Sequence, residues 1–435
     1  LIKEYYGYHE FGDFPWSFRL KRLLYTRAWL SNERPGLMFD FATAWLLQNK
    51  VLLPGATTLV RLISEIRERA NQRLWKKLAA LPNKWQAAQV MELLVIPEGQ
   101  RVSALEQLKK GPVTVSGPAF NEALERYIRL RSLEFSRLNF SGLPAIQLRN
   151  LARYAGMASV KYIARMPQQR KLAVLTAFVK AQEITALDDA VDVLDMLILD
   201  IIREAKKTGQ KKRLRTLKDL DQAALLLARA CALLLDDNTD VPDLRQVIFK
   251  CVPKNRLAES VSKVNELARP QNNNFHDEMV EQYGRVKRFL PAVLRDLHFR
   301  AAPAGEHVLA AIHYLAELNG SKKRILDDAP EHIITGPWKR LVYDAEGRIQ
   351  RAGYSLCLLE RLQDALRRRD IWLENSDRWG DPREKLLQGE EWQTQRIPVC
   401  RALGHPVDGR KGVQQLAIQL DETWKAVASR FEKNA

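Results

Sequence analysis

The sequence has few cysteines, no long apolar run and none of the common nucleotide-binding or hydrolase motifs. Cys231, Cys251, Cys357 and Cys400 are far apart and form no CxxC pair, which excludes a zinc ribbon and fits a reducing compartment. No apolar stretch reaches the roughly 18 residues of a membrane helix, and Leu1–Glu4 does not open a signal peptide. GxxxxGKS/T, GxGxxG, HExxH and GxSxG are all missing. These absences argue against a membrane protein and against a simple nucleotide-binding enzyme.

What the chain has in excess is positive charge. Its 435 residues include 69 Lys and Arg against 52 Asp and Glu, a net charge of +17. Such a surplus indicates a polyanionic partner more often than a neutral one. The cations are spread along the chain and rich in arginine, whose planar guanidinium suits phosphates better than a lipid surface. Composition therefore favours a nucleic acid, with a generally basic surface as the simpler alternative.

Helical periodicity dominates the sequence, and strand signals are scarce. Phe39–Asn49 has one apolar face, and a second helix is expected to begin at Thr57 or Thr58 and to end at Pro82. Two helices joined by a short Pro-Gly turn have a helix-turn-helix outline. We predict a mainly α fold, a multi-domain helical array with helix-turn-helix-like DNA-binding modules and at most a small β-hairpin.

A second helix-turn-helix outline is predicted in residues 145–166, where Gly156 supplies the turn and Ser159 caps the next helix. The cations of the first outline spread around their helix instead of forming one stripe, which indicates contact with phosphates. Ordinary packing and a solvated helix are the alternatives, because short paired helices are common in helical proteins. The candidate DNA-binding residues of the two outlines are Arg61, Arg67, Arg149, Arg153 and Lys161.

The segment Lys206–Arg215 has six cations in ten residues around Gly209. We predict an exposed loop that follows a helix over residues 169–206 and that places Lys211, Lys212 and Arg213 along a phosphate backbone. The alternative is a solvated turn between two helices that charge keeps soluble.

An acidic row in the preceding helix offers a different interpretation. The row contains Asp188, Asp189, Asp192 and Asp195. Asp188, Asp192 and Asp195 lie at i, i+4 and i+7, on one helix face, an arrangement that could hold two metal ions for a nuclease. Metal-dependent nucleases gather carboxylates from separate elements, whereas one helix face is more often solvated or ion-paired. We therefore interpret these residues as structural.

A series of motifs occurs in one order along nearly the whole chain. The motifs are Tyr5–Tyr8, Leu52–Leu62, Leu148–Tyr154, Arg170–Leu175, Ala186–Ala190, Phe289–Pro291, Trp338–Val342, Tyr354–Leu359 and Leu366–Pro382. In this order they resemble the TnpA transposases of class II replicative transposons, the Tn-three family. The resemblance covers the N-terminal and middle regions of such a transposase.

The resemblance implies a catalytic domain that this chain lacks. In the family, three carboxylates of a ribonuclease-H-like domain bind two Mg²⁺ ions, and the first Asp adjoins a Thr-Gly-Phe motif downstream of the region that resembles Trp372–Trp392. No Thr-Gly-Phe occurs here. We assign no catalytic or metal-binding residue and expect no cofactor in this chain. Mg²⁺ is expected to bind to the absent catalytic domain.

The resemblance also implies a division into regions and a set of partners. We predict a DNA-binding region over residues 1–110, a second over 111–270, a linker or dimerisation-type region with a small hairpin at Trp338–Arg351 over 271–400, and a lead-in to the absent domain over 401–435. The expected partner is double-stranded DNA of the terminal inverted repeats, bound in the bacterial cytoplasm, with a homodimer in the full protein. A helical scaffold that binds proteins and a self-sufficient nuclease are the alternatives.

Overall fold

Helices make up most of the chain in the computed structural model, which describes residues 6–235, 244–267, 275–387 and 389–434. The side chains of residues 213–217, 219, 233, 244, 263, 265–267, 385 and 432–434 fall outside that description. The mainly α fold predicted from periodicity is confirmed. Among the described residues, no helix is long and apolar enough to cross a membrane.

The N-terminal part is a series of helices joined by short turns. Its helices are α1 (Trp16–Ser31), α2 (Pro35–Gln48), α3 (Ala56–Ala79), α4 (Lys84–Glu92), α5 (Ala104–Leu108), α6 (Gly117–Arg131), α7 (Ala145–Met157) and α8 (Val160–Ala164). Helix α3 begins after Gly55, which occupies the N-cap position without a side-chain bond, so neither predicted threonine cap is used. Ser159 does cap α8, because its side chain accepts a hydrogen bond from the Tyr162 amide at 3.3 Å.

One helix of 67 residues, α9 (Gln168–Leu234), connects the N-terminal helices to the rest of the fold. It packs against α3, α6 and α7, so its first half is a backbone for the bundle. The helix continues through Lys206–Arg215, and the loop predicted there is wrong. Lys206 and Lys212 of this run contact residues 275–281, a tertiary stabilisation that outweighs the helix-breaking tendency of Gly209.

Beyond α9 the described residues form shorter helices and two small sheets. The helices are α10 (Leu244–Cys251), α11 (Lys254–Leu267), α12 (His276–Glu281), α13 (Tyr283–Val286), α14 (Leu290–Asp296), α15 (Glu306–Glu317), α16 (Gly336–Val342) and α17 (Arg351–Arg368). The segment Arg269–Asn274, predicted to be a linker, lies outside the described residues.

Each sheet is an antiparallel pair of very short strands. Strand β1 (Phe299–Ala301) pairs with β4 (Ile371–Leu373), and β2 (Ile325–Leu326) pairs with β3 (Ile349–Gln350). The predicted Trp338–Arg351 hairpin is therefore only partly right. Its turn forms, since the Asp344 amide bonds to the Arg348 carbonyl at 3.0 Å, but its first arm is α16, where Gly336-Pro337 starts a helix.

In the part of the chain that the structure describes, three groups of buried side chains hold these elements together. The largest joins α6, α9, α16 and α17, and it includes fully buried Phe120, Phe178 and Trp338. A second lies among α1, α2 and α3, and a small third group is formed by Leu74, Leu78 and Ala173, where α3 meets α9. The same helix α9 therefore supports both the N-terminal bundle and the later elements.

The chain divides into two compact units, Leu1–Gly380 and Asp381–Ala435. All the helices and strands above belong to the first unit. The second contains α18 (Gly389–Ala402) and α19 (Gly409–Asn434). The four regions predicted from the sequence remain a prediction.

Candidate nucleic-acid interface

A basic groove lies between the C-terminal half of α3 and the start of α9, with a volume of about 560 Å³. Its lining residues are Glu68, Arg69, Gln72, Arg73, Trp75, Lys76, Pro167, Gln169 and Arg170. Four of these side chains are cationic, and the one carboxylate, on Glu68, accepts a hydrogen bond from Gln72 Nε2 at 3.1 Å. We call this site the α3–α9 groove.

The amphipathic pattern of α3 explains which of its cations reach the groove. Apolar residues from Leu59 to Leu78 recur on one face and are buried, which turns the opposite face to solvent. Arg69 and Lys76 are two turns apart on that solvent face, and both are exposed. Neither has a hydrogen-bond or ion-pair partner among the described residues.

Arg170 is held at the floor of the α3–α9 groove by aromatic rings. Its guanidinium carbon lies 4.9 Å from the centroid of Trp75 and 5.9 Å from that of Tyr154, which is within the range of cation–π attraction. The Nε atom of Arg170 is buried and has no hydrogen-bond partner among the described residues. Burial raises the pKa of Tyr154, although the charge of Arg170 opposes that rise.

A second cation–aromatic cluster flanks the groove. Arg73 and Lys77 lie over the ring of Trp29, at 4.9 and 5.6 Å from its centroid, and Arg73 Nη1 donates to the Tyr25 hydroxyl at 3.1 Å. These contacts fix Arg73 against α1, so it contributes positive charge from a defined position. The groove therefore combines fixed cations with two that are free to move.

The predicted cations of α7 and α8 form a separate exposed surface. Arg149 and Arg153 are one turn apart on the outer face of α7, and Lys161 is exposed on α8. None of the three has a hydrogen-bond or ion-pair partner among the described residues. Ile146 and Met157 of α7 are 50% and 84% exposed, so this surface offers apolar contacts as well as charge.

The two predicted cations of α3 are placed differently from each other. Arg61 is exposed on the solvent face, whereas Arg67 is half-buried and donates to Asn32 Oδ1 at 3.2 Å. Arg67 thus contacts the end of α1. Whether either residue binds DNA stays a prediction.

The basic run of α9 is partly engaged in packing. Lys206 lies 4.8 Å from the ring centroid of Phe275, and Lys212 Nζ pairs with Glu281 at 2.8 Å and with Glu278 at 3.6 Å. The hydrogen bond to Glu281 raises the pKa of Lys212. These three contacts of Lys206 and Lys212 therefore hold α12 and the residue before it against α9.

The remaining cations of this run have less defined surroundings. Lys211 is exposed, and the Arg213 side chain lies outside the described residues. From Arg170 to Lys211 the chain advances 211 − 170 = 41 residues within one helix, about 60 Å at a rise of 1.5 Å per residue. The structure therefore separates this predicted site from the α3–α9 groove.

The acidic row of α9 is neutralised by cations from three other elements. Arg126 of α6 pairs with Asp189 at 2.8 Å, and Arg367 of α17 pairs with Asp195 at 2.9 Å. Arg378, in the loop after β4, pairs with Asp189 at 2.9 Å and also with Asp192.

The loop that carries Arg378 closes over the same row. Ser376 Oγ and the Arg378 amide donate to Asp188 Oδ1, and Trp379 Nε1 donates to Asp192 Oδ1 at 2.7 Å. Desolvation raises the pKa of Asp188 in spite of these donors. These contacts agree with the structural interpretation of the row, whose carboxylates are used as anchors for the loop.

The acidic row does not fit a pair of Mg²⁺ ions. Each of its paired carboxylates already accepts charge-assisted bonds from an arginine, which would have to be displaced before a cation could bind. Among the described residues, no group of three or more His, Cys, Asp or Glu is arranged to hold a metal ion.

Comparison with known proteins places this chain beside transposon proteins. A family model described as a domain of unknown function (DUF4158) matches residues 1–66. The transposase for transposon Tn4556 of Streptomyces fradiae is 32% identical over 365 residues, which cover 78% of this chain and 41% of that protein. The transposase for transposon Tn501 of Pseudomonas aeruginosa is 28% identical over 390 residues, 89% of this chain and 39% of that protein. The transposase for transposon Tn21 of Escherichia coli is 28% identical over 368 residues, which cover 82% of this chain and 37% of that protein.

These similarities define the chain as a relative of transposon transposases. The resemblance to the TnpA transposases of the Tn-three family, carried by the ordered motifs, is confirmed over most of the chain. The chain spans about two fifths of the length of the curated relatives it matches.

Sequence reasoning selected Arg61, Arg149, Arg153 and Lys161 as DNA-binding candidates, and their role stays a prediction. The structure places all four at the surface. Sequence reasoning did not select Arg170, which lies in the α3–α9 groove. Arg170 and Trp75 are 95 residues apart (170 − 75), and only folding joins them in one groove. A Trp within a helix that carries several cations was the available signal, because bases and guanidinium groups both stack on aromatic rings.

Proposed function

We propose that this chain is a DNA-binding and end-recognition part of a transposase, and that the α3–α9 groove contacts the phosphate backbone. The observation that carries the proposal is the exposure of Arg69 and Lys76 beside the fixed Arg73 and Arg170, with one carboxylate in the groove. Cations without protein counter-ions attract phosphates and release the ions condensed on DNA. The transposase relatives support the same role.

The surface of α7 and α8 is the proposed second contact. Arg149 and Arg153 present two guanidinium groups side by side, a form suited to phosphates and to guanine edges. The exposed Ile146 and Met157 add apolar groups that could meet thymine methyl groups. Sequence preference for the terminal inverted repeats is assigned to this surface, and general affinity to the α3–α9 groove.

The chemistry of strand transfer is proposed to lie in another part of the full-length protein. The relatives are more than twice as long as the segment matched here, and the acidic row of α9 is committed to arginines. Mg²⁺ is accordingly assigned to that other part. Pairing of two transposon ends would require two copies of the chain, bound to DNA in the bacterial cytoplasm.

The test compares two variants in which the same amount of charge is removed. Arg69→Ala with Lys76→Ala removes the two free cations of the groove, and Lys322→Ala with Lys339→Ala removes two exposed lysines elsewhere. Fluorescence anisotropy with a labelled terminal-repeat duplex and with a scrambled duplex measures both affinities. Because every cation that touches a phosphate strengthens binding, the groove variant is expected to bind both duplexes at least about tenfold more weakly, and the control less than about twofold.

Three results would reject the proposal. Equal effects of the two double variants would show that net charge alone attracts DNA, and no binding to either duplex at low salt would favour the helical scaffold. Nicking of DNA by this chain with Mg²⁺ would favour the nuclease alternative. To test end recognition separately, Arg149→Ala with Arg153→Ala should reduce the preference for the repeat more than the overall affinity.

A further inference from the structure

A second cavity adjoins the α3–α9 groove, at the junction of α1, α3, α7 and α9. Its volume is about 250 Å³, which is below the roughly 300–1,000 Å³ of pockets for drug-sized ligands. Trp75 and Arg170 line both this cavity and the groove, so the two share a wall. The cavity is also lined by four carboxamide side chains, on Asn32, Asn71, Gln147 and Asn150. We call it the amide pocket.

Two of the four carboxamides hold the walls of the amide pocket in place. Gln147 Nε2 donates to the Ala28 carbonyl at 2.7 Å and to the Trp29 carbonyl at 3.3 Å, which fastens α7 to the end of α1. Asn32 Oδ1 accepts from Arg67 Nη2 at 3.2 Å, which fastens α3 to the same end. The pocket is therefore bounded by helices that are fixed to one another, and such preorganisation lowers the cost of binding a ligand.

Three other polar groups of the amide pocket have no hydrogen-bond partner among the described residues. They are the half-buried side-chain amides of Asn71 and Asn150 and the buried Nε atom of Arg170. Each carboxamide offers two donors and an acceptor, and the Nε atom offers one donor. A buried donor costs free energy until an acceptor meets it, so the pocket favours a ligand that supplies one.

The mixture of donors and acceptors indicates the chemical class of that ligand. A phosphate or a carboxylate accepts bonds only, and it would leave the carboxamide oxygens of Asn71 and Asn150 unpaired. The edge of a nucleobase has donors and acceptors side by side, and a carboxamide can bind it through two hydrogen bonds. The faces of a base stack on aromatic rings and on guanidinium planes, which Tyr154 and the ring-held Arg170 supply.

We propose that the amide pocket binds one nucleobase displaced from a duplex held in the α3–α9 groove. The inference rests on the DNA-binding function proposed above, because the groove brings the duplex to the pocket. Displacement breaks the base pair and the stacking of the base, and it costs least for a base that is already unpaired. Hydrogen bonds to Asn71 and Asn150 and stacking on Tyr154 and Arg170 offset this cost.

The first experiment compares duplexes that differ by a single base. Terminal-repeat duplexes carry one extra nucleotide at successive positions, and each is compared with a duplex in which the extra nucleotide is abasic. The abasic duplex keeps the bend of the bulge and lacks only the base. By fluorescence anisotropy, the whole chain is expected to bind the base-bearing bulge at least about fivefold more tightly at one position, because stacking of one base is sufficient for that factor. Equal affinities at every position would overturn the proposal.

Two double variants that leave the net charge unchanged assign the effect to the pocket. Asn71→Ala with Asn150→Ala removes the two open carboxamides, and Gln222→Ala with Asn255→Ala removes two exposed carboxamides elsewhere as the matched control. The pocket variant is expected to lose the preference for the base and to keep its affinity for the abasic bulge within about twofold. The control is expected to keep both. A preference that persists in the pocket variant, or that is lost equally in the control, would contradict the assignment.

A second measurement uses only the wild-type chain. Permanganate oxidises an unstacked, accessible thymine, so an extra thymine at the selected position reacts in free DNA. In the complex it is expected to be protected, because the pocket encloses the base. An unprotected thymine, or equal affinity for the bulged duplex and for the corresponding single strand, would reject the proposal. Duplex binding without any base preference refutes this inference alone, whereas no binding to any duplex refutes the DNA-binding function as well.

Discussion

The pair of Arg126 and Asp189 provides a direct test of the structural role of the acidic row. Arg126 is 8% exposed, and its guanidinium donates to Asp189 Oδ2 at 2.8 Å, to the Leu108 carbonyl at 2.8 Å and to Gln182 Oε1. Replacement with methionine keeps the bulk of the side chain and removes all three bonds. The Leu108 carbonyl and Gln182 Oε1 would then lose the bond from Arg126, and Asp189 would keep only its pair with Arg378.

The expected destabilisation can be derived from these contacts. Breaking one side of a buried ion pair costs about 3–5 kcal/mol, and the lower value applies because Asp189 keeps Arg378 at 2.9 Å. For a unit of this size, about 2 °C per kcal/mol converts 3 kcal/mol into a melting temperature lower by about 6 °C. Differential scanning calorimetry of Arg126→Met and of the wild type measures this difference in melting temperature.

The control is Arg129→Met in the same helix. Arg129 is exposed and makes one hydrogen bond of 3.3 Å to Gln107, so its replacement should change stability by no more than about 0.5 kcal/mol. Equal melting temperatures for the two variants would refute the structural role of Arg126. A rise of several degrees in the wild type on addition of Mg²⁺ would show that the acidic row binds metal.

Three further predictions concern other parts of the fold. Desolvation raises the pKa of Glu183 above its ordinary value of 4.5, so the free energy of unfolding falls as the pH rises through the raised pKa. By calorimetry, the melting temperature of Glu183→Gln should exceed that of the wild type at pH 8 and should not exceed it at pH 4. A Cβ on Gly353 would lie 2.2 Å from a carbonyl oxygen of α16; Gly353→Ala should cost about 1–3 kcal/mol in calorimetry, whereas Gly336→Ala should cost less. Lys211→Ala should weaken binding of repeat and scrambled DNA equally in anisotropy assays, and Lys212→Ala should weaken it less, since Lys212 is ion-paired.

The helices with strong local signals were predictable from the sequence. The 3.6-residue pattern of Phe39–Asn49 gave α2 to within a few residues, because the pattern itself is the buried face. The α8 cap at Ser159 was also predictable, since its side chain satisfies a nearby amide. Such features depend on residues close in sequence.

The features that depend on distant residues were not predictable. The Lys206–Arg215 run has the charge and the glycine of a loop, but Phe275 and Glu281 pack on it and keep it helical. The α3–α9 groove needs α3 and α9 to meet, and the pattern of neither helix reveals that contact. Likewise, the row of Asp residues gave no sign of Arg126 or Arg378, which approach from other elements.

The most direct test of DNA binding by the α3–α9 groove is the salt dependence of the affinity. Each phosphate contact contributes about 0.9 to the slope of log K against log salt concentration. Removal of Arg69 and Lys76 together should therefore reduce the magnitude of the slope by about 1.8, and the Lys322 and Lys339 control should leave it unchanged. An unchanged slope in the groove variant would contradict the assignment of this groove to the phosphate backbone.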